Sequence, residues 1–111
     1  MEIKTRENNT IFVIDVIGDM DLYSSFKLKE LVDKLTGESV NRFIINLDEV
    51  SYIDSSGVGS LIYINSLCKK KSINFKIINV KGTVKRVIEL TKLLGYLPIV
   101  NTEDDAIKQL S

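Results

Sequence analysis

The sequence lacks the residues on which several common catalytic sites depend. Its 111 residues include no histidine, no tryptophan, one cysteine and one proline. Without an imidazole, the chain cannot build a Ser-His-Asp hydrolase, a histidine phosphotransfer site or most zinc-dependent catalytic centres. The single cysteine, Cys68, excludes an internal disulfide and a cysteine-rich metal site. We therefore expect a protein that is not an enzyme and has no catalytic residues, no metal site and no cofactor of its own.

Charge and hydropathy argue against two further classes of partner. Fifteen basic and fifteen acidic residues cancel, so no overall field favours nucleic acid and no polybasic segment anchors the chain to a membrane. No apolar run approaches the roughly 18–20 residues of a membrane span, and the N-terminal residues do not resemble a signal peptide. We expect a cytoplasmic protein, a monomer or weak dimer, that binds neither nucleic acid nor membrane.

The hydrophobic pattern alternates between short apolar strands and amphipathic helices. The length is that of one domain, residues 1–111, and 44% hydrophobic residues suffice for a core. The pattern predicts a hairpin with a turn at Asn8-Asn9, further strands and four helices, over 2–7, 11–17, 22–37, 42–47, 57–71, 74–80, 83–94, 99–100 and 104–110. The order β-β-α-β-α-β-α-β-α predicts an α/β fold with a mixed, mostly parallel sheet of four to five strands and about four helices.

Helical spacing also predicts which side chains face the core. The predicted core positions of the first three helices are Leu22, Phe26, Leu31, Val32 and Leu35, then Val58, Leu61, Ile62, Leu67 and Cys68, then Val84, Val87, Ile88, Thr91 and Leu94. Gly95 is the expected C-cap of the third helix. Tyr63 and Ile64 lie off the main apolar stripe of their helix, which indicates either a partner-binding face or a buried helix flank.

The junction between the strand that precedes Asp54 and the helix that follows it concentrates polar residues and glycines. Such a junction leaves the first N–H groups of the helix unpaired. Ser55 or Ser56 can cap these groups, and Gly57 and Gly59 allow close approach of the backbone. Asp54 can either brace the turn or contact a partner. Spacing alone favours a simple turn and N-cap here.

Three motifs that handle nucleotides or esters fail at this junction. A dinucleotide fingerprint needs a third glycine where Ile62 stands, and a P-loop needs a lysine that is absent. A hydrolase nucleophile elbow needs glycine at Ile53 and a histidine base. A covalently modified serine passes these tests, because a hydroxyl at a helix start is accessible to a kinase. The added phosphate, of about −1.5 to −2 charge, would lie at the positive end of the helix dipole.

The segments Asn46-Leu47-Asp48-Glu49-Val50 and Tyr52-Ile53-Asp54-Ser55-Ser56-Gly57-Val58-Gly59-Ser60-Leu61 resemble the signature of the anti-sigma factor antagonists, bacterial proteins of the STAS domain family. Gly18-Asp19-Met20-Asp21, residues 80–87 and Leu93-Leu94-Gly95-Tyr96 follow in the family's order, so the resemblance spans the chain and implies the STAS fold. In that family the serine directly after the aspartate accepts a phosphate, which implies this role for Ser55. Asp21 is expected beside it, and Val58 stands where leucine is commoner.

The resemblance implies a partner switch controlled by phosphorylation. The unmodified protein would bind an anti-sigma factor, a serine kinase with a GHKL-type ATP site, and so free a sigma factor. That kinase, which itself holds the ATP and Mg²⁺, would phosphorylate Ser55 and be released, and a metal-dependent serine phosphatase would restore binding. The residues expected to bind the partner are Asp21, Asp54, Ser56, Gly57, Val58 and Gly59. The alternative is a STAS subunit of a lipid-transport ATPase complex or of a stress-sensing scaffold.

Overall fold

The computed structural model describes residues 2–111 and contains a five-stranded sheet with four helices. The strands are β1 (Glu2–Asn8), β2 (Ile11–Met20), β3 (Arg42–Ile53), β4 (Asn74–Ile78) and β5 (Ile99–Val100). The helices are α1 (Leu22–Gly37), α2 (Ser55–Lys71), α3 (Gly82–Leu90) and α4 (Glu103–Leu110). This order confirms the predicted α/β arrangement. Met1 lies outside the described residues.

The sheet has the strand order β1-β2-β3-β4-β5, with β1 antiparallel to β2 and the other neighbours parallel. Each connection between successive parallel strands contains one helix and leads to the next strand in the same direction across the sheet. Because such connections are right-handed, α1, α2 and α3 lie on one face of the sheet. A larger core forms between that face and these helices, and a smaller core forms on the other face around Ala106 and Leu110 of α4.

Several boundaries differ from the prediction by a few residues. The hairpin turns at Asn9 and Thr10, whose φ angles of 55° and 67° are those of a type I′ turn. β2 continues to Met20 and β3 to Ile53, whereas β4 ends at Ile78. α3 ends at Leu90 with Thr91 as its C-cap, so the predicted cap at Gly95 was wrong. The Thr91 hydroxyl donates to the Ile88 carbonyl at 2.7 Å, and Lys92 then turns into the left-handed region at φ 60°.

The predicted core face of α1 is confirmed at Val32 and Leu35 but is wrong in the first turns of the helix. Leu22 and Phe26 are 74% and 61% exposed, whereas Leu28 is buried. The buried residues of α1 are Ser24, Ser25, Leu28, Val32, Leu35 and Thr36. At about 100° per residue, Phe26 lies about 160° around the helix from Leu28, so the two cannot share a face. In the first turn of α1 the small Ser24 and Ser25 are buried, and the large apolar Leu22 and Phe26 are exposed.

The two residues of α2 that lay off its apolar stripe have different environments. Ile64 is completely buried in the larger core, and Tyr63 is 40% exposed. The Tyr63 hydroxyl donates to the Asp33 carboxylate of α1 at 3.0 Å. Ile64 is therefore a buried helix flank, and Tyr63 helps to join α2 to α1.

Within residues 2–111, no helix has both the length and the apolar character required to cross a membrane.

A charged cluster joins β1 to the start of α4. The Arg6 guanidinium donates to Asp15 at 2.7 Å and to Glu103 at 2.6 and 2.8 Å, and the Asn8 amide donates to Glu103 at 2.6 Å. The hydrogen bonds from Arg6 are the largest cause that holds the pKa of Glu103 below its usual value of 4.5, and the one from Asn8 acts in the same direction. The ionised form of Glu103 therefore stabilises the fold.

Glu103→Gln is expected to lower the free energy of unfolding by about 1 kcal/mol at neutral pH, because Arg6 is partly exposed and solvent screens the pair. A carboxyl whose pKa is lowered by folding contributes its full stability above the unfolded pKa and loses it as the pH falls through the folded pKa. Urea unfolding from neutral pH to below 4 should therefore show the two proteins converging in acid. Asp104→Asn, which removes a charge from the same helical turn without touching Arg6, is the control. A constant difference at all pH values would contradict this assignment.

Candidate functional site

Two adjacent parallel strands end in aspartates at the same edge of the sheet. Met20 of β2 and Ile53 of β3 are register partners, and each is followed directly by an aspartate, Asp21 and Asp54. The Asp54 N–H donates to the Met20 carbonyl at 3.2 Å, which ties the two strand ends together. As a result, α1 and α2 begin side by side at this edge.

Asp54 is the N-cap of α2. Its carboxylate accepts hydrogen bonds from the N–H groups of Ser56 at 2.9 Å and Gly57 at 3.1 Å. The expectation that Ser55 or Ser56 caps this helix was wrong, because the Asp54 carboxylate already holds the donors that a serine hydroxyl would take. Of the two roles considered for Asp54, bracing the turn is therefore observed.

Asp21 has the same position at the start of α1. Its carboxylate accepts from the Ser24 N–H at 3.0 Å and lies 2.9 Å from the Ser24 hydroxyl. Both hydrogen bonds lower the pKa of Asp21, and the one from the Ser24 backbone N–H has the larger effect. Asp21 is therefore negatively charged at neutral pH. Asp19, also exposed, adds a further acidic residue two positions earlier.

The two serines after Asp54 differ in exposure. Ser55, the first residue of α2, is exposed, whereas Ser56 is half-buried and lines a groove between α1 and α2. The Ser56 and Gly57 N–H groups are already bonded to Asp54. An anion attached to Ser55 would therefore find these donors taken and a carboxylate beside it. This differs from the open helix N-terminus that the sequence suggested.

Gly57 and Val58 lie beneath the surface. Val58 is 5% exposed and packs in the larger core, and Gly57 is buried. A methyl group on Gly57 would lie 2.5 Å from Ile53 Cγ1 and 2.8 Å from the Met20 carbonyl oxygen. The expectation that these two residues contact a partner is corrected accordingly. They place the first turn of α2 directly on the ends of β2 and β3.

Gly59 is different, because nothing lies within 4 Å of the position where its Cβ would stand. It lines a groove of about 240 Å³ between the first turns of α1 and α2, which we call the α1–α2 groove. The groove is bordered by Leu22, Ser25, Phe26, Lys29, Ser56 and Gly59. Internal packing does not require glycine at this position, so its effect is to leave the groove unfilled.

The α1 side of this groove was not predicted from the sequence. Leu22 and Phe26 expose most of their apolar surface there, and clustered exposed apolar side chains indicate an interaction site. Ser25 is 3% exposed, and its hydroxyl has no hydrogen-bond partner among the described residues. The angular position of Leu22 and Phe26 on the helix, opposite Leu28, was the signal in the sequence that could have placed them on the surface.

Within residues 2–111, no group of three or more acidic or cysteine side chains is placed to hold a metal ion.

The family model of the STAS domain matches residues 2–106. The chain belongs to the STAS domain family. The match covers the sheet, α1, α2, α3 and the first turn of α4. The junction at Asp54 and the α1–α2 groove are therefore features of a STAS domain.

Individual relatives agree with this assignment. This STAS domain is 28% identical over 105 residues to the anti-sigma-B factor antagonist of Listeria monocytogenes, covering 95% of this chain and 91% of the relative. A crystal structure of an anti-sigma factor antagonist from Mycobacterium paratuberculosis has a TM-score of 0.86 at 22% identity, covering 98% and 92% of the two chains. The phosphorylated form of the Bacillus cell fate determinant SpoIIAA has a TM-score of 0.76 at 19% identity, covering 99% and 100%. The two solved structures establish similarity of fold.

Proposed function

We propose that this STAS domain is an anti-sigma factor antagonist that works by partner switching in the cytoplasm. Its unphosphorylated form binds an anti-sigma factor that is also a serine kinase, which frees a sigma factor, and phosphorylation of Ser55 ends the interaction. The observation that carries the proposal is the exposed hydroxyl of Ser55, next in the chain to Ser56, which lines the α1–α2 groove. The name of the Listeria relative supports the same function.

The chemistry requires no catalytic group from this chain. The partner kinase holds ATP and Mg²⁺ and transfers the γ-phosphoryl group to Ser55 Oγ, with release of ADP and transfer of the hydroxyl proton to a base of the kinase. A serine phosphatase hydrolyses the ester with water and restores the hydroxyl. This chain contributes a hydroxyl at the start of a capped helix, where a kinase can reach it.

The switch follows from charge. Phosphorylation adds about −1.5 to −2 charge beside a carboxylate that braces the same turn, that of Asp54. Asp21 begins the neighbouring helix at the same sheet edge and carries a further negative charge. Like charges brought together in a desolvated interface cost several kcal/mol, and about 2.8 kcal/mol corresponds to a hundredfold loss of affinity. The monomer keeps this charge in water, where the penalty is small, so the domain stays folded.

The proposal is tested with the anti-sigma kinase encoded in the same genome. The purified domain is incubated with that kinase, ATP and Mg²⁺, and the phosphate is located by mass spectrometry. We expect it on Ser55, with Ser55→Ala unmodified and Ser56→Ala still modified. Phosphate found elsewhere would refute the assignment of the site. Co-purification with a transport ATPase or a large scaffold, and no binding of the kinase, would favour the alternative function.

The exposed apolar side chains of α1 provide a second test. Phe26→Ser is expected to weaken binding of the unphosphorylated domain to the kinase by about 30-fold, which is the effect of a hot-spot loss of about 2 kcal/mol. Because Phe26 is 61% exposed, its replacement should change the free energy of unfolding by less than about 0.5 kcal/mol. Isothermal titration calorimetry and urea unfolding measure the two effects.

Leu90→Ser is the matched control for that test. Leu90 is 77% exposed on α3 and does not line the α1–α2 groove. Its replacement should leave kinase affinity unchanged. Equal weakening by both substitutions would mean that surface hydrophobicity in general, and not the α1–α2 groove, determines binding.

A further inference from the structure

A second groove, of about 300 Å³, lies beside β4 at the far end of α2. Its lining includes Asn65 and Lys69 of α2, Phe75 and Lys76 of β4, and Pro98 before β5. We call it the β4-edge groove. Fourteen residues of helix separate Lys69 from Ser55, which is about 21 Å at 1.5 Å per residue. The β4-edge groove is therefore separate from the α1–α2 groove.

The floor of this groove is an unfinished edge of the sheet. β5 pairs only with Ile77 and Ile78, and the Ile77 N–H donates to the Pro98 carbonyl at 2.9 Å. Residues of a parallel strand turn their N–H and C=O groups alternately to either neighbour, so Phe75 faces the same side as Ile77. Pro98 has no N–H to donate to the Phe75 carbonyl. Among the described residues, nothing on that side bonds to the Phe75 backbone.

A buried amide in the wall of the groove also lacks a partner. Asn65 is 4% exposed, and its Nδ2 makes no hydrogen bond within residues 2–111. Buried side-chain donors are nearly always paired in folded proteins. An unpaired donor beside an open strand edge suits a ligand that supplies carbonyl or carboxylate oxygens.

The charge of the groove is positive. Lys69 and Lys76 line it, and none of the described residues that line it is acidic. The Lys69 ammonium lies 4.8 Å from the centre of the Tyr96 ring, a cation–π contact that keeps the charge beside the groove. The last turn of α2 adds Lys70 and Lys71. This charge favours an acidic occupant.

We infer that the β4-edge groove binds an extended, acidic segment of a partner protein by strand addition. The segment pairs with the open N–H and C=O of Phe75, supplies an oxygen to Asn65 Nδ2, and places a carboxylate in the groove that Lys69 and Lys76 line. Strand addition is a general mode of peptide recognition, in which the backbone supplies affinity and side-chain positions supply specificity. Because only one residue of β4 offers both groups, binding is weak and depends on the acidic side chain.

This second interaction goes beyond the proposed switch. Its distance from Ser55 of about 21 Å exceeds the Debye length of about 8 Å at physiological salt. Phosphorylation of Ser55 therefore leaves the β4-edge groove unaffected, and a partner held there stays bound while the kinase is released. Ser55→Asp and the unmodified domain should bind the same peptide equally, so that failure of one proposal leaves the other standing.

The test is an NMR titration of the full-length, ¹⁵N-labelled chain with an acetylated and amidated heptapeptide of alternating valine and threonine with a central glutamate. The largest shifts are expected at the Phe75 backbone amide and the Asn65 side-chain amide, with slower hydrogen exchange at Phe75. A peptide with lysine at its centre should bind at least fivefold more weakly. Lys76→Glu should reverse that preference, whereas Lys34→Glu, on the exposed side of α1, should not change it.

Asn65→Leu provides an independent variant, because leucine fills the same space without the unpaired donor. It should weaken peptide binding several-fold while the remaining amide spectrum and the thermal stability are retained. No shift at Phe75 with millimolar peptide, shifts centred on the α1–α2 groove, or an unchanged preference in Lys76→Glu would each overturn the inference. So would concentration-dependent shifts of the same amides without peptide, because a second copy of this chain would then occupy the groove.

Discussion

Ser55→Asp is expected to lower the affinity of the domain for its kinase about 100-fold, whereas Ser55→Ala binds as tightly as the unmodified protein and is never released by ATP. The reason is the position of Ser55 beside Asp54, whose carboxylate already holds the Ser56 and Gly57 N–H groups. A negative charge added at residue 55 would therefore find no free backbone N–H donor from this turn in the interface. The hundredfold loss corresponds to about 2.8 kcal/mol. Calorimetry at low and high salt measures it, and the loss should shrink as salt screens the repulsion.

The fold of Ser55→Asp should be unaffected. An acidic residue in the first turn of a helix gains about 0.3–1 kcal/mol from the helix dipole, which offsets local repulsion in the free domain. Ser66→Asp, an exposed serine on α2 about 16 Å further along the helix, is the control for added charge. If Ser55→Asp and Ser55→Ala had equal affinity, or if Ser66→Asp weakened binding as much, the charge mechanism would be wrong.

Alanine substitutions at the two glycines of α2 are expected to have opposite effects on stability. Gly57→Ala should destabilise the domain by about 1–3 kcal/mol, because its methyl group would overlap Ile53 and the Met20 carbonyl. A backbone carbonyl cannot move aside without disturbing the hydrogen bond from Asp54 to Met20. Gly59→Ala should instead stabilise α2 by about 1 kcal/mol, since the space is open and alanine is the better helix former.

Although Gly59→Ala is expected to be more stable than the unsubstituted domain, it should bind the kinase less tightly. The methyl group of Gly59→Ala would project into the α1–α2 groove, which Gly59 lines. Urea unfolding and calorimetry on the same preparations separate the two properties. Gly59→Ala with higher stability and unchanged affinity would remove the α1–α2 groove from the interface. Gly57→Ala with unchanged stability would contradict the packing of α2 on the strand ends.

The predicted elements were largely confirmed because their signals are local. The alternation of apolar strands with amphipathic helices identified the nine elements found in residues 2–111 and their order. The cap of the last helix is equally local, because the Thr102 hydroxyl accepts from the Asp105 N–H at 3.1 Å. The end of α3 was missed because Val87 and Leu94 continue the helical spacing, which hid the turn at Thr91.

The environment of the candidate site could be predicted only in part. The place of Asp54 and Ser55 between a strand and a helix was predicted correctly, but the cap was assigned to a serine and Val58 to a surface, whereas Val58 is buried. On α1, Leu22 and Phe26 were taken as core residues. Apolar character alone does not distinguish a side chain that packs against the sheet from one that awaits a partner. Which side of α1 meets the sheet depends on the neighbouring strands.

The sequence by itself determined the order of the elements, the exclusion of histidine-dependent chemistry and the placement of an acid and two serines between a strand and a helix. Only the tertiary structure decided that Asp21 and Asp54 begin adjacent helices, that Leu22 and Phe26 face outward beside Gly59, and that Pro98 leaves β4 open at Phe75. The physical reason is distance along the chain. Periodicity and capping act within a few residues, whereas these juxtapositions arise from the pairing of strands and the packing of helices across the whole sheet.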